Sequence, residues 1–288
     1  MTRVSAPLAV LALTASLGVA ACGSPTDTTS ASGAGSASAS CAKDSLATLT
    51  KGKLTIGTDK PAYPPWFVDD SPANGKGYES AVAYAVAEKM GFTQADVTWV
   101  VVPFDAAIAP GKKAFDLDFN QVSISDERKN AVDFSSGYYD VRQTVISYKG
   151  SPIDGKTTVA DLAGAKLGAQ VGTTSYDAIE QQIKPSTKPM VYNSNDLAVQ
   201  ALKNKQIDGI VVDLPTAFYM TAAQLDNGVI VGQLPAASSS VEQFGAVLDK
   251  GSALTSCVTS AVDALRDGGV LKQLADTWLA GQGAPELK

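Results

Sequence analysis

From residue 53 onward the chain alternates two hydrophobic periodicities. Lys53–Thr58 places apolar residues at every second position, as a half-buried strand does, and a proline-rich loop over 59–65 ends it. Glu79–Met90 instead carries alanine, valine and tyrosine at helical spacing and stops at Gly91. Val97–Val102 is a β-branched run closed by Pro103. Asp118–Val122 predicts a short strand and Asp126–Ala131 a short helix. Val145–Ser147 and Lys166–Gln170 read as strands, the second followed by Gly172-Thr173-Thr174-Ser175 and a helical stretch through Ile183. Asn195 is placed to cap a helix bearing Leu197, Ala198, Ala201 and Leu202, and Ile207–Val212 predicts a further strand. Ser252–Leu265 and Val270–Leu279 close the chain as amphipathic helices. Such strand-then-helix units predict an α/β fold with largely parallel sheets, and no repeat of about 20–50 residues points to a solenoid. In open α/β sheets ligands sit beyond the carboxyl ends of the strands. Here those positions are 59–66, 123–128, 172–175 and Asp213, which follows Ile210-Val211-Val212.

The first forty residues follow neither period. Ala6–Ala21 is an apolar run behind Arg3, short of the about 20 residues a membrane helix needs, and reads as a signal-peptide core over 1–21. It ends in Val19-Ala20-Ala21-Cys22-Gly23, which resembles the lipobox of bacterial lipoproteins and would make Cys22 the acylated first residue; an ordinary cleaved signal is the alternative. Residues 22–40 are almost wholly Gly, Ser, Ala and Thr. They cannot bury enough apolar surface to offset their ordering entropy, so a flexible tether reaching about 20–25 Å is expected.

Composition removes several classes of function. Of 288 residues, 23 are Lys or Arg and 29 Asp or Glu, a net charge of −6 that argues against a nucleic-acid partner. With no histidine, Ser-His-Asp and Cys-His catalysis and His-ligated zinc are excluded, and no cofactor or metal is expected. The Gly-x4-Gly-Lys-Ser/Thr phosphate loop is missing too. If Cys22 carries lipid outside the cytoplasm, Cys41 and Cys257 remain as an even pair in an oxidising compartment. A disulfide is expected there, with two free thiols as the alternative that geometry must decide.

From about Lys53 to the end of the chain run Ile56-Gly57-Thr58-Asp59 with Tyr63-Pro64-Pro65-Trp66, then Gly77-Tyr78-Glu79, then Ser123 to Arg128 with Val132-Asp133-Phe134-Ser135, then Gly172 to Ser175, and Val212-Asp213. In that order these segments resemble the family-3 solute-binding proteins of ABC transporters that capture polar amino acids. The resemblance implies a two-lobed, type II periplasmic-binding-protein-like α/β fold. Lobe 1 is expected over 41–147 and again over 242–288, and lobe 2 over 148–241, with hinge crossings near 147–149 and 241–244.

The resemblance also implies roles. Arg128 would fork onto the ligand's α-carboxylate, since two parallel N–H bonds fit a carboxylate. Ser123, Gln170 and Thr173 would add polar contacts, Thr173 at a helix start whose dipole favours an anion. Asp213 would take the α-ammonium, so that a zwitterion cross-links the lobes and closure has a cause. Asp59, Tyr63, Trp66 and Glu79 would form the wall that meets the substrate's side chain. Two acids beside two aromatics favour a cation, hence Arg, Lys, ornithine or His, with Gln next. Gln121 stands where the family often has Gly or Ser, and Phe104 lies in a Pro-Gly-interrupted version of the usual helix. The expected protein is a monomeric, non-enzymatic, lipid-anchored receptor outside the cytoplasm that delivers an amino acid to an ABC permease. An exported dehydratase of the cyclohexadienyl type, with Glu79 or Asp59 as acid or base, and a docking sensor are the alternatives.

Overall fold

A computed structural model describes residues 41–236, 241–279 and 283–288. The signal, lipobox and tether readings, Cys22 included, lie outside the described residues.

Two five-stranded sheets organise the chain. The first is built from β1 (Leu54–Thr58), β2 (Val97–Val101), β3 (Leu117–Asp118), β4 (Val132–Val141) and β10 (Glu242–Asp249), in the order β2-β1-β3-β10-β4. The second uses β5 (Gln143–Tyr148), β6 (Leu167–Gln170), β7 (Met190–Tyr192), β8 (Gly209–Asp213) and β9 (Gly228–Gln233), in the order β7-β6-β8-β5-β9. These are the cores of lobe 1 and lobe 2 of an α/β fold.

Each sheet is half parallel. β2, β1 and β3 pair parallel, as do β7, β6 and β8, but β10 pairs antiparallel with β3 and β4, and β5 antiparallel with β8 and β9. The expectation of largely parallel sheets is corrected accordingly. The antiparallel pairings come from the strands on either side of the two crossings, which strand-then-helix periodicity does not report.

Lobe 1 buries most of α1 (Tyr78–Lys89) and the amphipathic stripe of α6 (Thr255–Asp267) with Leu271 of α7 (Val270–Trp278). Leu54, Ile56, Leu117 and Phe244 meet Val82, Val86, Val258, Val262 and Leu265 in one apolar cluster. The bond between Cys41 and Cys257 ties the first described residue to α6, with Cα atoms 5.4 Å apart and 216 positions between them in sequence. In lobe 2, α3 (Thr174–Ala178), continued by a π-helical turn to Ile183, covers one face of the sheet. α4 (Asn195–Lys203) and α5 (Leu214–Tyr219) cover the other. Among the described residues no helix is long and apolar enough to cross a membrane.

Two expected boundaries move. β5 pairs Gln143 with Asp213 and Thr144 with Gln233, so the chain enters lobe 2 at Arg142 rather than near 147–149. Val132–Tyr148 is one β-prone run with no turn residue between its two strands, and the pattern does not mark the change of sheet. The last residues also leave lobe 1. Leu287 N–H donates to Gln233 O at 2.8 Å, Lys288 N–H to Thr157 O at 3.0 Å, and the Leu287 side chain is buried in the lobe 2 core. The return segment therefore belongs to lobe 1 only through α7, because a late leucine finds its apolar site on the other lobe.

Candidate functional site

The loops predicted to carry ligand contacts converge on a cavity of about 240 Å³ between the lobes. Lobe 1 contributes Asp59, Tyr63, Phe104, Asn120, Gln121, Ser123 and Arg128; lobe 2 contributes Gln170, Thr173 to Ser175, Ser194 to Asp196, Asp213 and Thr216.

Arg128 sits at the start of a 3-10 turn and is 8% exposed. Its Nη1 donates to Ser123 O at 2.6 Å and its Nη2 to Gly172 O at 2.8 Å, the second bond spanning the lobes. The ring of Phe104, which opens α2 (Phe104–Ile108), lies 5.5 Å from the Arg128 Cζ. No carboxylate forms an ion pair with it among the described residues; burial lowers its pKa, against the raising effect of the more distant Glu242, Asp177, Glu127 and Asp213. Each terminal nitrogen keeps a second N–H.

Asp213 ends β8 and lies partly open to the cavity. Burial raises its pKa to about 7, against the lowering effect of the Thr216 hydroxyl, which donates to Oδ2 at 2.8 Å. Asp59 accepts from Lys60 N at 2.7 Å and Phe104 N at 3.3 Å, and burial raises its pKa as well. Tyr63 donates from its hydroxyl to Asp196 Oδ2 at 2.5 Å across the lobes, and its ring lies 5.6 Å from that of Tyr219. Burial and this bond raise the Tyr63 pKa.

The lobe 2 wall is made of helix starts. Thr173 caps α3 by accepting from Tyr176 N at 3.3 Å while its own hydrogen goes to Gln170 O at 2.7 Å. Its hydroxyl is thus committed to the chain itself, and the hydroxyls of Thr174 and Ser175 stand beside it in the lining. Thr174 Oγ1 is 3.3 Å from Ser123 Oγ, and Ser175 donates to Gln143 Oε1 at 2.7 Å. Gln170 Oε1 accepts from Asn195 N at 3.1 Å at the start of α4. The cap of that helix is Ser194, which accepts from Leu197 N, and not the Asn195 expected from the pattern.

Two predicted wall residues are placed elsewhere. Glu79 is fully buried under the cavity floor, where its carboxylate accepts from the Tyr138 hydroxyl and from both N–H groups of Gln121, the backbone one at 2.7 Å. Burial raises its pKa to about 7. Gln121 itself is in the lining, held at φ +50°. Trp66 is 1% exposed and packs into an aromatic cluster. The loop carrying it closes over the start of α1, because Gly77 at φ +96° lets the backbones meet: a Cβ there would lie 2.4 Å from Trp66 O. Tyr78 N and Glu79 N then donate to Pro65 O and Trp66 O at 2.9 and 3.0 Å, which pulls Glu79 inward. Sequence reasoning missed Asp196, Thr216 and Asn120, and it reached Thr174 and Ser175 only as part of the 172–175 segment, without a role for either. The signal for Asp196 was there, since it opens the helix that follows β7, but the three-residue β7 was not read as a strand.

Comparison with known proteins bears on the whole of this body. Residues 54–281 match the family described as bacterial extracellular solute-binding proteins, family 3. The L-arginine-binding protein of Pseudomonas aeruginosa is 29% identical over 239 residues, covering 78% of this chain and 90% of that protein. The L-cystine-binding protein TcyJ of Escherichia coli is 28% identical over 230 residues, 79% and 83% of the two chains. Among solved structures, an ancestral arginine-binding protein bound to arginine superposes with a TM-score of 0.63 at 28% identity, covering 78% of this chain and 97% of that one.

Proposed function

Because the chain belongs to the family-3 bacterial extracellular solute-binding proteins, we propose that it captures a cationic amino acid, arginine or lysine first, in the cleft between its lobes. It hands the ligand to an ABC permease, and acts as a monomer held outside the cytoplasm by lipid on Cys22.

The observation that carries this is a charge count. Asp59, Asp196 and Asp213 line the cavity and none makes an ion pair among the described residues, whereas the buried cation of the lining is Arg128 alone; Lys60 turns out toward Asp70 at 3.5 Å. A neutral zwitterion leaves that imbalance as it stands, and a ligand with two cationic groups and one carboxylate reduces it. In this reading Arg128 receives the α-carboxylate with help from Ser123, Gln170 and the backbone N–H of Thr173, whose hydroxyl is already engaged. Asp213 receives the α-ammonium, and Asp59 with Tyr63 and Phe104 receives the side-chain cation. Glu79 acts through Gln121 rather than on the ligand. Its carboxylate is already engaged by three donors, which supports capture without chemistry.

The test is calorimetric titration of the protein, freed of carried-over ligand by unfolding and refolding, against the twenty amino acids, ornithine and citrulline. Micromolar binding of arginine, lysine, ornithine or histidine, about −8 kcal/mol, is the expected result. Binding of glutamine alone would keep the receptor and discard the cationic pocket; no binding across the panel from folded protein would overturn the reading.

A further inference from the structure

Trp66 lies outside the cavity, yet its one polar atom crosses from lobe 1 to lobe 2. Its ring stands edge-on to Tyr78, Tyr139 and Phe244 at centroid distances of 6.0, 5.4 and 5.5 Å. Its Nε1–H donates to Thr216 Oγ1 at 3.0 Å, and the Thr216 hydroxyl donates to Asp213 Oδ2 at 2.8 Å. An indole only donates, and a hydroxyl has a single hydrogen. With Trp66 supplying a hydrogen to its oxygen, Thr216 directs its own hydrogen to Asp213. The chain therefore has one polarity, from indole to hydroxyl to carboxylate. Thr216 and Asp213 belong to α5 and β8, so the link from Trp66 exists only where the lobes meet.

We propose that Trp66 is a positioning residue for the ligand's ammonium group: lobe closure completes a donor chain through Thr216 that fixes the Asp213 carboxylate as an acceptor turned to the cavity. This rests on the reading that Asp213 receives an α-ammonium. Donation to a carboxylate favours its ionised form, and the partner beyond Thr216 polarises that donation further. Two of the three members are nearly buried, Trp66 at 1% and Thr216 at 8% exposed, so water does not readily replace the missing donor when either is removed.

The experiment compares L-arginine with 5-guanidinopentanoate, which is arginine without its α-amino group, by calorimetry on the wild-type protein and on W66F. Phenylalanine keeps the aromatic packing and deletes the N–H. The wild type is expected to prefer arginine; W66F loses about tenfold in arginine affinity, the worth of about one hydrogen bond, and much less for the analogue. T216V should reproduce that loss, T216S restore binding, and the W66F/T216V double variant bind no worse than either single one, because one chain is broken once. The threonine variants decide the question if W66F does not fold. Unchanged arginine affinity in W66F and T216V, or equal loss for both ligands, would overturn the proposal. A wild type that binds both ligands alike would overturn the Asp213 reading and this inference with it, and that result appears before any variant is made.

Discussion

The two walls of the cleft are built differently. Lobe 1 reaches the cavity with side chains backed by an aromatic slab: Trp66, Tyr78, Phe119, Tyr138, Tyr139 and Phe244 form a connected set of ring pairs with centroids 5.4–6.3 Å apart. Lobe 2 reaches it with hydroxyls and amides at the starts of α3, α4 and α5, over aliphatic clusters. Large rings packed edge to face leave little room for rearrangement, whereas short polar side chains at helix starts reorient at low cost. The contrast teaches a division of labour. In the proposed reading the stiff wall discriminates among side chains through Asp59, Tyr63 and Phe104 while holding Arg128 for the α-carboxylate, and the polar wall supplies Asp213 for the α-ammonium.

The largest effect that would sharpen this contrast is on stability. The disulfide staples lobe 1 alone, and closing so long a loop stabilises by about 5 kcal/mol in the chain-entropy model. Reduction should shift lobe 1 melting downward and leave lobe 2 in place, splitting the calorimetric transition into two. A single unshifted transition would show that the lobes unfold as one unit and that the staple contributes little. Next comes the clamp. R128A and D213N are each expected to weaken arginine binding about a hundredfold or more, since each leaves a charged ligand group buried without a partner. If only R128A does so, lobe 2 is a passive cover rather than half of the clamp. Smaller again is D59N, which should cost about tenfold for arginine and much less for glutamine in the same titration. Equal losses would remove side-chain discrimination from the lobe 1 wall.

Sequence pattern made the walls legible to unequal degrees. β1, β2, β6 and β8 and the helices α1, α4, α6 and α7 follow from alternation and helical spacing. The rule that ligands lie beyond the carboxyl ends of strands brought Asp59, Ser123, Arg128, Thr173 and Asp213 to one cavity. Trp66 sits between the lining residues Tyr63 and Phe67, Glu79 directly follows Tyr78 of its motif, and nothing in their spacing tells a wall from its backing. Their burial is set by Gly77 and by the loop carbonyls that cap α1, a tertiary contact. Arg142 is illegible as a hinge for a similar reason: extended backbone continues through it, and only pairing partners reveal that Val141 and Gln143 belong to different sheets.

The smallest effect, and the most discriminating, concerns two acids tuned alike on opposite walls. Burial raises both Glu79 and Asp213 to about 7, from ordinary values of 4.5 and 3.8. Between about pH 4 and 7 the folded protein then holds protons that the unfolded chain has lost, so the stability of the ligand-free protein falls as pH rises through that window. Ligand reverses the sign for the acids it touches, Asp213 and the likewise raised Asp59, and not for Glu79. An ammonium group beside Asp213 favours its ionised form, so binding below about pH 7 expels a proton, and affinity rises with pH until the carboxylate is ionised without help. Glu79, under the floor, gives no such response. Thermal melts with and without arginine from pH 4.5 to 8, together with titrations in buffers of different ionisation enthalpy, separate the two. D213N should reduce the proton release and flatten the affinity profile in part, D213N with D59N should abolish both, whereas E79Q should reduce the pH slope of ligand-free stability and leave proton release intact. Proton release undiminished in D213N would move the ammonium site off the lobe 2 wall.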